Sequence, residues 1–181
     1  CLTDIIAKKY PQVKNVYSIW SPPASMKSNG SSSGGSLKEG SEQEFADYIV
    51  DFIDTYEEHF GIKVYAVSPA NEPNSGGTGW NGCTWGIDTK LAKFCSETFR
   101  STLDQRGHGD VHIIYGEHSW YKNGMQSVEK GINNYPQMIN QKVITAAHGY
   151  ALFGSADNNI VDFPMTDKTT SIYFHIFLPK F

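Results

Sequence analysis

Asn71, Glu72 and Pro73 follow an apolar run in the stretch VYAVSPANEPN, residues 64–74. A carboxylate at the end of a β-strand is fixed by the sheet yet open to a cleft. Half-burial against aromatic rings would disfavour its charged form, raise its pKa and make Glu72 a usable general acid. Asn71 can hydrogen-bond a substrate hydroxyl, and Pro73 stiffens the turn that aims both side chains. The tripeptide alone reads equally well as a solvated loop glutamate beside a turn proline. Three other apolar runs end in the same manner: residues 13–20 in Trp20-Ser21-Pro22-Pro23, residues 111–115 in Glu117-His118 and Trp120-Tyr121, and residues 142–147 in His148 and Tyr150. Any one of these ends has a structural explanation. Four successive strand ends bearing indoles, amides, imidazoles and carboxylates, with apolar strand interiors, point instead to one polar cleft.

Strands and helices must alternate to present those ends. A short helical piece over residues 2–10 precedes the first strand, and Pro22-Pro23 stops that strand. A polar loop, SNGSSSGGSLKEGS, occupies residues 28–41 and is too long for a simple turn. The next segment predicts a helix over 41–60. Phe45, Tyr48, Ile49, Phe52, Ile53, Tyr56 and Phe60 recur at three- and four-residue steps, Ser41 and Glu44 have capping-box spacing, and Gly61 is a C-terminal stop. After the strand at 62–68 comes a Gly-rich loop, then a helix over 89–106 capped by Asp88, the strand at 111–115, an irregular helix between 125 and 140, and the strand at 142–147. Strand–helix alternation implies a parallel sheet with helices outside it. Long loops after the strands and short returns to them fit a partial (β/α) barrel of about four βα units, with its active site at the strands' C-terminal ends. An open doubly wound sheet shares the alternation, but no G-x-G-x-x-G follows the first strand.

The chain is 39% hydrophobic over 181 residues, enough for one sizeable core. A net charge of −4 without a basic block argues against nucleic acid as a partner, and no apolar run approaches the ~20 residues of a membrane span. Aromatic residues make up 13% of the chain, and their faces suit either sugar rings or a core. Of three cysteines, Cys83 and Cys95 either pair in an oxidising compartment or remain separate thiols. The histidines lack metal-ligand spacing, so neither a metal nor another cofactor is expected. His59 and His108, at helix ends, read as structural or solvated. The start at Cys1, without a leader pattern, reads as a cut edge.

WSPPASMKSNG (residues 20–30), VSPANEPN (67–74) and AAHGY (146–150) together resemble glycoside hydrolase family 30 of clan A, over roughly residues 1–155. The resemblance implies a (β/α)8 barrel with an attached β-domain, retaining hydrolysis of β-glycosidic bonds in oligo- or polysaccharide, and a secreted protein. It implies Glu72 as acid/base, Asn71 on the sugar 2-hydroxyl and Trp20 as a wall of the −1 site. His148 and Tyr150 would lie near nucleophile and substrate, and Glu117, His118 and Trp120 along the substrate. The four strands would be barrel strands three to six. The Ser/Gly-rich insert at 28–36 and the loop around Trp80, Cys83 and Trp85 look most like microbial β-1,6-galactanase or glucanase members. Trp80, Trp85 and Trp120 could stack on sugars, and Trp85 could equally be core.

Two features depart from that family. Ser25 stands where members often carry an aromatic. The nucleophile, a glutamate closing the seventh strand, has no counterpart, because no glutamate follows Glu129. Asp157, Asp162 and Asp167 are the acids of an atypical tail, residues 156–181, whose TTSIYFHIFLPKF has strand-like composition. The chain is thus expected to be an inactive fragment, lacking barrel strands and the β-domain. Half a barrel exposes two sheet edges, so poor stability and self-association are expected. A family 5 β-glucanase and a non-catalytic carbohydrate-binding remnant are the other readings.

Overall fold

The computed structural model describes residues 5, 8–75, 79–119, 121–148 and 170–174. Five strands, β1 (Asn15–Ser18), β2 (Val64–Ser68), β3 (His112–His118), β4 (Val143–His148) and β5 (Thr170–Phe174), form one sheet. Every pairing is parallel, and spatial order equals chain order, β1-β2-β3-β4-β5. A doubly wound sheet reverses direction at a switch point, whereas a barrel adds each strand beside the last. The order therefore decides between the two architectures open to the sequence, and the chain is a partial TIM barrel. β5 extends the four expected strands by one and comes from the stretch of strand-like composition. The rest of residues 156–181, and Trp120 and Tyr150, lie outside the described residues.

Helices cover one face of the sheet. In α1 (Glu42–Phe60), Phe45, Ala46, Ile49, Val50 and Ile53 are fully buried, and Phe52 and Tyr56 pack edge-on against Tyr17 of β1. Tyr48, expected on that stripe, is exposed. Gly61 ends the helix in the left-handed conformation, its N–H on the Glu57 carbonyl, as helices commonly stop. The capping box does not form. Ser41 has φ −91° and ψ 7° and makes no side-chain cap bond, since a capping side chain needs the extended backbone that Ser41 lacks.

The second helical stretch, α2, covers residues 87–105. Two wide turns, Ile87–Leu91 and Phe94–Phe99, run into α-helical Arg100–Gln105. Asp88, expected as a cap, lies within the first turn and pairs with Lys130 at 2.6 Å. Arg100 is buried and donates to the Val111 carbonyl at 2.8 Å and the His108 carbonyl at 3.2 Å, which closes the return into β3. α3 (Tyr121–Asn134) is separate from a 3-10 turn, Pro136–Asn140. One irregular helix was expected there, but Pro136 lacks an N–H and disfavours α geometry in the residue before it.

Two apolar clusters result. The larger lies under the helices and includes Phe45, Trp85, Phe94, Ile113, Tyr115 and Ala147. The smaller, Ala66, Ile114, Ile144 and Ala146, lies on the other face, which lines the barrel interior. Trp85 is 6% exposed and belongs to the core. Cys83 and Cys95 are both buried, free thiols, so the structure does not form the bridge. Among the described residues no helix is long and apolar enough to cross a membrane, and no group of three or more His, Cys, Asp and Glu could hold a metal ion.

Candidate active site

Strand register brings the chemistry together. Ser18 stands opposite Ser68 on adjacent strands. Beyond them, the Ile19 N–H donates to the Ser68 carbonyl at 2.8 Å and the Asn71 N–H to the Ile19 carbonyl at 3.2 Å. Trp20 is thereby held beside Asn71-Glu72. The Glu72 N–H donates to the Glu117 carbonyl at 3.1 Å, so the end of β2 is tied to the end of β3.

A bulge decides what β3 presents. Gly116 pairs with Ala146 and His118 with Ala147, which leaves Glu117 as the extra residue. Such a bulge re-aims the side chains after it. Glu117 consequently joins the interior face, and His118 turns to the helix side, packed over Gly124 of α3. Gly116 has φ +105°, and a Cβ there would lie 2.7 Å from Val128 Cγ2 and 3.0 Å from the Ala146 carbonyl oxygen. Only glycine fits both the torsion and the space. Glu72 and Glu117 each have φ 43°, and with Lys142 they are the non-glycine residues of positive φ among the described residues. Two carboxylates held in an uncommon backbone conformation at adjacent strand ends point to function more than to packing.

His148, at the end of β4, lies between them. Its Nδ1 is 2.7 Å from Glu72 Oε1 and its Nε2 3.3 Å from Glu117 Oε1. Burial works against a charge on this imidazole, but hydrogen bonds to Glu117 and Glu72 and their negative charges outweigh it and raise its pKa to about 9. His148 is therefore protonated at neutral pH, and both ring nitrogens donate. Ser18 Oγ, 2.9 and 3.0 Å from the two Glu117 oxygens, supplies a third donor to the cluster.

The two carboxylates are not equivalent. The Glu117 side chain is 3% exposed and that of Glu72 is 12% exposed. Glu117 is the more enclosed of the two. It lies as a buried counter-charge against His148, whose other ring nitrogen meets Glu72. The neighbour shown for Glu72 is a donating imidazolium.

Among the predicted residues the structure gathers Glu72, Asn71, Glu117, His148 and Trp20. Asn71 is buried and Trp20 is 50% exposed. His118 stays apart on the outer face. Ser18 was missed by sequence reasoning, and its one signal was a hydroxyl closing an apolar strand beside another such strand. A separate cavity at the opposite ends of the strands, walled by Lys14, Glu57, Lys63 and Asp110, contains none of the predicted residues.

Sequentially ordered parallel strands with carboxylates and an imidazole converging at their C-terminal ends define a (β/α) barrel of the kind that builds active sites at that rim. The description "Glycosyl hydrolase family 30 TIM-barrel domain" matches residues 3–145, and the chain belongs to that family. Among curated proteins none matches the chain. Solved structures do. SrfJ from Salmonella typhimurium is 27% identical, with a TM-score of 0.73 over 83% of this chain and 33% of its own. A glycoside hydrolase family 30 subfamily 8 xylanase from Clostridium acetobutylicum is 26% identical, with a TM-score of 0.64 over 82% and 37%. An endo-β1,6-glucanase is 20% identical, with a TM-score of 0.76 over 95% and 39%, and this likeness shows the fold alone. The chain thus spans little more than a third of the length of the structures it matches.

Proposed function

We propose that this chain is the part of a retaining β-glycoside hydrolase that carries the general acid/base, Glu72. The observation that supports this reading is the convergence of Glu72, His148 and Glu117 at three adjacent strand ends, with Glu72 the more exposed carboxylate. In the first step Glu72, taking up the His148 Nδ1 proton, passes a proton to the leaving glycosidic oxygen while a nucleophile attacks the anomeric carbon. In the second it takes a proton from the water that cleaves the glycosyl-enzyme. Asn71 binds the sugar 2-hydroxyl and Trp20 walls the ring. A retaining pair needs a second carboxylate at about 5 Å. The buried Glu117, engaged by Ser18 and His148, does not serve, and no glutamate follows Glu129. The covalent step lacks its partner in this chain, which is nearly inactive by itself. A polymeric β-linked substrate is met outside the cell, which agrees with a secreted protein.

The test is incubation of the chain and of Glu72→Gln with β-linked glucans, xylan and galactan, followed by assay of reducing ends and of the product anomer by NMR. Turnover near background in both proteins is expected. Retained-configuration product that disappears in Glu72→Gln would overturn the missing-nucleophile part. Glycan binding without turnover, weakened by Trp20→Ala, would favour a carbohydrate-binding remnant.

A further inference from the structure

Lys27 is 0% exposed, and its ammonium is hydrogen-bonded to neutral oxygens, with the buried Cys83 thiol close by. Nζ donates to Ser21 Oγ at 2.9 Å, to the Gly82 carbonyl, and toward the Ser32 carbonyl at 3.5 Å. Burial holds its pKa below the usual lysine range. Enclosing a charge among neutral acceptors is costly, and an apolar side chain would fill such a site more cheaply. What the ammonium supplies is geometry, because three donors fix three acceptors drawn from two separate loops.

Those loops are the segment after β1 and the Gly-rich loop after β2. Around Lys27 they form a small network of their own. Ser33 bridges Asn81 and Ser36 bridges Thr84. The Gly82 N–H donates to the Ser32 carbonyl at 3.0 Å and the Thr84 N–H to the Gly35 carbonyl at 2.8 Å. The Ser/Gly-rich insert is therefore docked on the Trp80 loop. Ser21 adjoins Trp20, and Gly82 lies two residues after Trp80. The indoles of Trp20 and Trp80 meet edge to face, with centroids 5.6 Å apart at 82°. Trp20 is half exposed and Trp80 partly so.

We propose that Lys27 is a positioning residue that sets the right-angled Trp20–Trp80 corner, and that this corner is a platform for one sugar unit of a β-linked chain entering beside Glu72. The proposal rests on the glycan reading above and adds Trp80 and Lys27 to it. An indole face packs against the C–H face of a pyranose, and a second indole at right angles closes one side of the ring.

The positioning claim has a readout that needs no ligand. Two indoles in contact couple their electronic transitions and give a paired positive and negative band in the far-ultraviolet circular dichroism. Wild type and Trp85→Phe, which alters a core indole, are expected to show this couplet. Trp80→Phe and Lys27→Met are expected to lose it while keeping the helical signal. A folded Lys27→Met that keeps the couplet overturns the positioning role. If Lys27→Met loses its helices, Ser21→Ala decides: it removes one acceptor and leaves the lysine, so the couplet must weaken, and an unchanged couplet overturns the role.

The platform claim is tested by tryptophan fluorescence with β-1,6-linked glucotetraose, β-1,4-linked glucotetraose and β-1,4-linked xylotetraose. At least one is expected to bind wild type, with Trp80→Ala and Lys27→Met weakening it roughly ten-fold. If wild type shows the couplet but binds none of the three, the platform and the glycan reading fail together. If wild type binds and neither variant weakens binding, the platform fails alone.

Discussion

Gly116→Ala tests how the site is built. The substitution adds one methyl where φ is +105°, and that methyl would lie 2.7 Å from Val128 Cγ2 and 3.0 Å from the Ala146 carbonyl oxygen. The torsion alone costs about 1–3 kcal/mol for an L-residue, and overpacking adds about 1–3 kcal/mol. Because α3 and β4 can yield slightly, a total loss of roughly 3 kcal/mol is expected. Gly61→Ala is the control. It also sits at positive φ, +65°, but no atom lies within 4 Å of its added Cβ, so it should cost only about 1 kcal/mol. Urea denaturation at micromolar concentration, followed by tryptophan fluorescence, measures both. The substitution should also straighten the bulge and swing Glu117 away from His148, which would lower the His148 pKa. Equal losses for the two variants, or a Gly116→Ala protein with full stability, would refute the reasoning.

Other outcomes follow from the same geometry. His148 has a folded pKa of about 9 against 6.5 for the free side chain. Its contribution of about 3 kcal/mol is therefore present in full below pH 6.5 and is lost as pH rises through 9. Urea denaturation at pH 6 and pH 9.5 should show a drop for wild type that is absent in His148→Gln. Ser18→Ala removes a donor to buried Glu117 and should cost about 1–3 kcal/mol, measured the same way. Among the described residues β1 and β5 have no outer neighbour, so sedimentation velocity should show the apparent mass rising with concentration. A concentration-independent monomer would contradict that expectation.

Much of the architecture was legible because its signals are local. The stripe from Phe45 to Ile53, the stop at Gly61 and the apolar runs before Asn71 and His148 follow from side-chain period and glycine geometry alone. Alternation suggested a barrel, but the sheet order that excludes an open sheet is a long-range property. The site was half legible. Glu72 and His148 stand at strand ends that the sequence marks by a change from apolar to polar. Glu117 and His118 are adjacent and equally polar, and which of them enters the cleft depends on the bulge at Gly116, where only a Cβ clash with Val128 and Ala146 reveals the constraint. Ser41-Glu44 shows the reverse error: the spacing of a capping box was present, but the backbone at Ser41 does not support it. Lys27 drew no reading of its own from the sequence, because burial created by two docked loops leaves no pattern there.

The most direct test of the account is an NMR titration of the His148 ring nitrogens. Both should carry protons at pH 7.5, with a midpoint near 9, and Glu72→Gln or Glu117→Gln should pull that midpoint toward 6.5. A His148 that titrates at 6.5 or below in the wild-type chain, or that ignores both substitutions, would contradict the claim that one imidazolium joins the two carboxylates.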